Sequence, residues 1–140
     1  MKTCLVVDDS PFIRKVARKI LEELSFDVSE AGNGQEALDH CIVTMPDAIL
    51  LDWNMPVVDG PQFLEAVRAL EGGTRPKIVF CTTENHPGHI ARALIAGADE
   101  YIMKPFDREI LAFKFQQVGL IDPEADADTD VLADAGKPLV

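Results

Sequence analysis

The chain has 140 residues, 47% of them hydrophobic, and carries a formal net charge of −11. That length gives one domain with room for a core, and the acidic balance excludes a nucleic-acid binder, which needs a basic face. No apolar run approaches the ~18 residues of a membrane span, and Met1-Lys2-Thr3-Cys4 enters a strand-like run at once, so neither membrane insertion nor a signal peptide is expected.

The first apolar run, Cys4-Leu5-Val6-Val7, closes on Asp8-Asp9. Ser10-Pro11 then starts a helix, with a hydroxyl to cap it and a proline at the first helical position. Ile13, Val16, Ala17, Ile20, Leu21 and Leu24 follow the spacing of one helical face. The basic residues Arg14, Lys15, Arg18 and Lys19 read as its solvated side. Residues 26–31 form a modest second strand. Asn33-Gly34 turns the chain, and Ala37, Leu38, Cys41 and Ile42 mark a second helix.

Ala48-Ile49-Leu50-Leu51 is a further apolar run and ends in a lone acid, Asp52. Residues 53–60 read as a loop. Phe63, Leu64, Val67 and Leu70 stripe a third helix that Gly72-Gly73 stops. Ile78-Val79-Phe80-Cys81 closes on Thr82 and leads into a polar, turn-rich loop over 83–88. Ile90, Ala93, Leu94 and Gly97 form a small-residue helix. Tyr101-Ile102-Met103 closes on Lys104-Pro105. Asp107 caps a last helix carrying Ile110, Leu111, Lys114, Phe115 and Val118, stopped at Gly119. Phe113 falls off its apolar stripe.

Five short apolar strands thus alternate with five helices over residues 1–120. That pattern predicts an α/β domain with a doubly wound parallel sheet. Residues 121–140 lack aromatics and helical periodicity. From Asp122 onward they hold six acids against Lys137, and are expected to form a disordered acidic tail. Cys4, Cys41 and Cys81 are odd in number and sit in apolar contexts, which fits buried, reduced thiols and a cytoplasmic protein. His86 and His89 have no evident carboxylate or thiol beside them and do not read as a metal site.

In a parallel sheet the carboxyl ends of all strands lie on one edge, where ligands bind. Asp8, Asp9, Asp52, Thr82 and Lys104 would therefore converge. Three crowded carboxylates repel unless a cation joins them, and an all-oxygen set with few protein ligands suits Mg²⁺, which also takes phosphate oxygens. Asp52 stands alone on what should be the middle strand, so it is the better nucleophile toward a phosphoryl group. Asp8 and Asp9 share the metal duty.

Asp8-Asp9, Asp52, Thr82 and Lys104, at these spacings, resemble the receiver domain of two-component response regulators over residues 2–120. Asp52-Trp53-Asn54-Met55-Pro56 with Asp59-Gly60 resembles in particular the CheY-like single-domain chemotaxis regulators. The resemblance implies a flavodoxin-like strand order 2-1-3-4-5. It implies that Asp52 takes a phosphoryl group from a kinase phosphohistidine. Mg²⁺ would be held by the side chains of Asp9 and Asp52, by the Asn54 backbone carbonyl, and by Asp8 through water. Thr82 and Lys104 would contact the phosphoryl oxygens, and Tyr101 would swing inward behind Thr82. Asn54, Thr83 and Glu84 would tune dephosphorylation, Thr83 standing where a smaller residue is usual. The first helix and Phe12 would dock on the kinase.

The expectation is a stand-alone receiver, monomeric or weakly dimeric. It would not be an enzyme beyond self-phosphorylation and autodephosphorylation, and its partners would be a histidine kinase and a downstream protein that prefers the phosphorylated form. Chemotaxis is the pathway first implied. A phosphate sink or shuttle in a stress or cell-cycle relay is the rival within the family. A Mg²⁺-dependent aspartyl-phosphate phosphohydrolase is the rival outside it, although such enzymes want Asp-x-Asp rather than Asp8-Asp9. A flavin carrier would need a phosphate-cradling loop that Ser10-Pro11-Phe12-Ile13 does not offer.

Overall fold

The computed structural model describes residues 1–53, 55–83 and 87–122. Among these residues ten elements alternate: β1 (Thr3–Val7), α1 (Pro11–Glu23), β2 (Asp27–Ala31), α2 (Gly34–Val43), β3 (Ala48–Asp52), α3 (Gly60–Arg68), β4 (Lys77–Thr82), α4 (Pro87–Ala96), β5 (Glu100–Met103) and α5 (Arg108–Gln117). The strands form one sheet in the order β2-β1-β3-β4-β5, and every pair is parallel. This is the expected 2-1-3-4-5 doubly wound arrangement.

Burial explains the order. All five residues of β3 are buried, as a strand covered on both faces must be. Edge strand β2 buries only Val28 and Ala31. One apolar cluster sets Leu5, Val7, Ile49, Leu51, Ile78 and Phe80 of the sheet against α2, α3 and α4. Another sets Cys4, Val6, Leu50, Val79, Cys81 and Ile102 against α1 and α5. Alternate strand residues point to opposite faces, so each strand feeds both clusters.

Several sequence expectations shift at the helix ends. Asn33 lies in the bend after β2 and also caps α2, accepting from the Glu36 N–H, and Gly34 is already the first helical residue. A Cβ on Gly34 would lie 2.3 Å from the Val58 carbonyl oxygen, so only glycine fits there. Gly60 likewise opens α3, behind a capping box in which Asp59 and Gln62 exchange bonds. α4 starts at Pro87, which shortens the expected loop and puts His89 on a helix.

Ile42, Leu94 and Ile110, expected on apolar stripes, are 67%, 44% and 43% exposed. Each neighbours the residue that does reach the sheet: Cys41, Ala93 and Leu111. A helical step of about 100° turns the neighbour out of a narrow contact. Phe113, off the stripe, is exposed as expected.

The three cysteines are free and buried. Burial pushes the Cys41 thiol up to about 11 and those of Cys4 and Cys81 higher still, so none is a thiolate at neutral pH. Among the described residues no helix is long and apolar enough to cross a membrane. Leu120 is buried and Ile121 packs against the core, so the fold reaches one residue further than the expected boundary. The rest of the expected acidic tail, from residue 123, lies outside the described residues.

Candidate phosphoacceptor site

The sheet register assembles the site. Val7 pairs with Leu51, so Asp8 and Asp52 follow side by side at the ends of β1 and β3. Asp52 pairs with Cys81, which puts Thr82 one step beyond, and Thr82 pairs with Met103, which puts Lys104 one step beyond that. The Lys104 backbone N–H donates to the Thr82 carbonyl at 2.9 Å, tying the ends of β4 and β5 together. The Lys104–Pro105 peptide bond is cis.

Asp8, Asp52 and Thr82 are the buried polar residues among those described. The Lys104 ammonium donates to Asp8 Oδ2 at 2.7 Å and to Asp52 Oδ1 at 3.1 Å. Carboxylate oxygens of Asp8, Asp9 and Asp52 all lie within 4.8 Å of one another. Burial and then the Asp8 charge push the Asp52 carboxyl up, and Lys104 only partly offsets them. Burial works against the charged form of Lys104, but the bond to Asp8 and the Asp52 charge outweigh it, so its pKa is raised. One ammonium therefore bonds two of the three clustered acids. The residual negative charge, the all-oxygen donor set and the exposure of Asp9 fit a hard divalent cation.

Tyr101 lies in β5 opposite Phe80, with ring centroids 6.1 Å apart. It is half-buried, and Lys114 Nζ sits 4.4 Å from its ring centroid while pairing with Glu100 at 3.5 Å. Thr83 is exposed. Asn54, Glu84 and His86 lie outside the described residues.

Two contributors escape a sequence reading. Trp53, placed there in a loop, is buried against Phe80 at 5.3 Å and stacked on His89 at 5.6 Å. It carries contact from the Asp52 strand to α4. Its position directly after a buried strand was the available signal. The basic stretch of α1 is also not uniformly solvated. Lys15 and Lys19 are exposed, but Arg14 and Arg18 both pair with Glu30, at 3.0 and 2.6 Å.

Residues 4–116 match the family model of the response regulator receiver domain. This chain belongs to that family. The chemotaxis protein CheY of Halobacterium salinarum is 37% identical over 107 residues, covering 76% of this chain and 88% of that protein. The solved structure of the chemotaxis response regulator CheY4 of Vibrio cholerae superposes with a TM-score of 0.80 at 35% identity, covering 84% of this chain and 98% of that one. A receiver domain of a sensor histidine kinase from Pseudomonas aeruginosa, solved with a magnesium ion coordinated in its active-site cleft, superposes with a TM-score of 0.76 at 31% identity, covering 84% of this chain and 98% of that one. Receiver domains bind Mg²⁺ at an acidic pocket, and the described residues of this chain hold an acidic cluster, Asp8, Asp9 and Asp52. A CheY-like receiver implies, in general, a histidine kinase as phosphodonor and a protein partner downstream.

Proposed function

We propose that this receiver takes a phosphoryl group on Asp52 and signals in chemotaxis through a protein that prefers the phosphorylated form. The observation that carries the proposal is the pair of contacts from Lys104 to Asp8 and Asp52 beside the exposed carboxylate of Asp9. A carboxylate oxygen of Asp52 forms a P–O bond as the P–N bond of the donor phosphohistidine breaks, and the electron pair leaves with the imidazole. Asp9 and Asp52, with the Asn54 backbone carbonyl and Asp8 through water, are the residues that would hold Mg²⁺. Mg²⁺ bound there supplies charge neutralisation between an anionic nucleophile and an anionic donor.

Lys104 keeps Asp8 and Asp52 in place before transfer and is positioned to follow the new negative charge afterwards. Thr82, buried at the end of β4, offers a hydroxyl to the phosphoryl oxygens. Movement of Thr82 frees space along β4 into which Tyr101, packed on Phe80, turns. Autodephosphorylation is the only further chemistry the site performs, tuned by Asn54, Thr83 and Glu84. The chemotaxis names of the relatives in Halobacterium salinarum and Vibrio cholerae support the pathway. The cytoplasm, where kinase and output meet, is the compartment that follows.

The test is incubation with acetyl phosphate and Mg²⁺, followed by mapping of the adduct. One phosphoryl group should appear on Asp52, and none in Asp52→Asn or in the presence of a chelator. Equal labelling of Asp52→Asn would overturn the assignment.

A further inference from the structure

Every polar group of Asp8 is engaged. Its N–H donates to the Ala31 carbonyl at 3.1 Å. Its Oδ1 accepts from the Ser10 N–H at 2.9 Å, and its Oδ2 from Lys104 at 2.7 Å. Its carbonyl accepts from Arg14 Nη1 at 2.7 Å. Asp9, the next residue, is exposed, and among the described residues nothing donates to its carboxylate. The chain therefore locks one acid completely and leaves its neighbour available.

Three of the four bonds to Asp8 come from its own side chain or from the sheet ladder. The fourth comes from α1, and it is built. Arg14 Nε pairs with Glu30 Oε1 at 3.0 Å, and Glu30 takes Arg18 Nε on its other oxygen at 2.6 Å. Arg18 in turn pairs with Glu22 at 3.0 Å. The Arg14 side chain is only 20% exposed. Two arginines on one carboxylate hold the Glu30 pKa below its ordinary value, Arg18 contributing most. A guanidinium is a rigid fork, so fixing Nε on Glu30 also fixes where Nη1 points.

We infer that Arg14, held by Glu30, is a positioning residue for the cation site: it clamps the Asp8 carbonyl and so presents the Asp9 carboxylate beside Asp52. This deepens the proposed function and rests on its reading of the acidic cluster. Partners one shell out from a metal orient its ligands, and their loss typically weakens metal binding about tenfold or more. Charge alone makes the opposite prediction. Arg14 is a cation near three acids, so its removal should tighten the binding of Mg²⁺ if it acts only through its charge.

The sign decides. Trp53, the chain's single tryptophan, adjoins Asp52 and is the probe for a Mg²⁺ titration. Arg14→Met and the charge-balanced pair Arg14→Met/Glu30→Met should both bind Mg²⁺ about tenfold more weakly than the wild type. Unchanged or tighter binding in Arg14→Met overturns the inference. Amide exchange of the metal-free protein is the second readout. Protection at Ser10, whose N–H donates to Asp8 Oδ1, should fall in Arg14→Met while that of Leu5 and Val6 is kept; unaltered exchange at Ser10 also overturns it. If the wild type binds no Mg²⁺, the reading of the cluster fails, and the exchange arm still judges the clamp. Should Arg14→Met not fold, Arg14→Lys, which keeps the charge but not the rigid fork, takes its place: weaker Mg²⁺ binding is expected, and unchanged binding overturns the inference.

Discussion

Asp52, the proposed phosphoacceptor, is the residue on which function and stability would conflict. Its folded pKa stands above the ordinary 3.8, because the strand end is buried and Asp8 adds its charge. A raised folded pKa means that the folded protein holds this proton more tightly than the unfolded chain does. That contribution is fully present below the unfolded pKa and is lost as pH rises through the folded one. At neutral pH, without a divalent cation, the ionised carboxylate is a burden. Asp52→Asn should therefore raise unfolding stability by about 1 kcal/mol at pH 7 in chelator. The gain should shrink below pH 4 and when Mg²⁺ is added to both proteins. Urea unfolding across pH measures it, and a loss of stability at pH 7 would contradict the charge argument. Val57 carries a smaller strain nearby. It has a φ of 70° in a γ-turn closed by the Val58 N–H to the Pro56 carbonyl at 2.8 Å, a conformation that a β-branched residue rarely adopts. Strain of this kind collects beside functional sites.

At the scale of elements, the two edges of the sheet have different tasks. The carboxyl edge ends in acids and loops, and several helices begin there with a side-chain cap: Ser10 for α1, Asn33 for α2, Asp59 for α3 and Asp107 for α5. The opposite edge is closed by polar ties that have no part in the chemistry. Arg68, at the end of α3, donates to the carbonyls of Gly73 and Pro76 at 3.0 and 2.7 Å and to that of Gly97 at 2.6 Å. It also pairs with Asp99 at 3.0 Å, and Asp99 accepts from the Ile78 N–H. One side chain thereby ties α3, the approach to β4 and the turn after α4. Arg68→Ala leaves three carbonyls to find water, and should cost about 2–3 kcal/mol. Because the loss is at the far edge, labelling of Asp52 by acetyl phosphate at a temperature where the variant is folded should be unchanged. A variant that keeps its stability, or loses labelling while folded, would contradict this division.

For the whole molecule, signalling requires that a phosphoryl group at one edge be felt at a surface. A buried modification can change a partner's affinity only by biasing an element with two arrangements. The proposed element is β4 with β5: Thr82 ends β4, the Lys104 N–H donates to its carbonyl, and Tyr101 packs on Phe80 with Lys114 of α5 over its ring. With beryllofluoride and Mg²⁺, the wild type should show altered amide exchange over β5 and α5. Thr82→Ala should still bind beryllofluoride, as read by Trp53 fluorescence, but leave that exchange unaltered. An equal response in both proteins would exclude Thr82 as the link and favour a phosphate sink.

Much of this was determined by the sequence itself. The alternation of apolar runs with helical stripes dictated the strands and helices, because backbone groups removed from water must pair and each apolar face must be covered. The polar residue closing each run named Asp8, Asp9, Asp52, Thr82 and Lys104, since strand ends of a parallel sheet share one edge. What the sequence could not decide was distance and exposure. Ile42, Leu94 and Ile110 read as core, yet one helical step turned them outward. Arg14 read as a solvated charge, yet Glu30, sixteen residues later, draws it onto the Asp8 carbonyl. Which oxygens Lys104 reaches, and which acid is left for a cation, depends on contacts between residues up to 96 positions apart. Local patterns carry periodicity and capping because those interactions span three or four residues. A clamp joining a strand end, a helix and the next strand exists only once the chain has closed, and tertiary structure alone decided it.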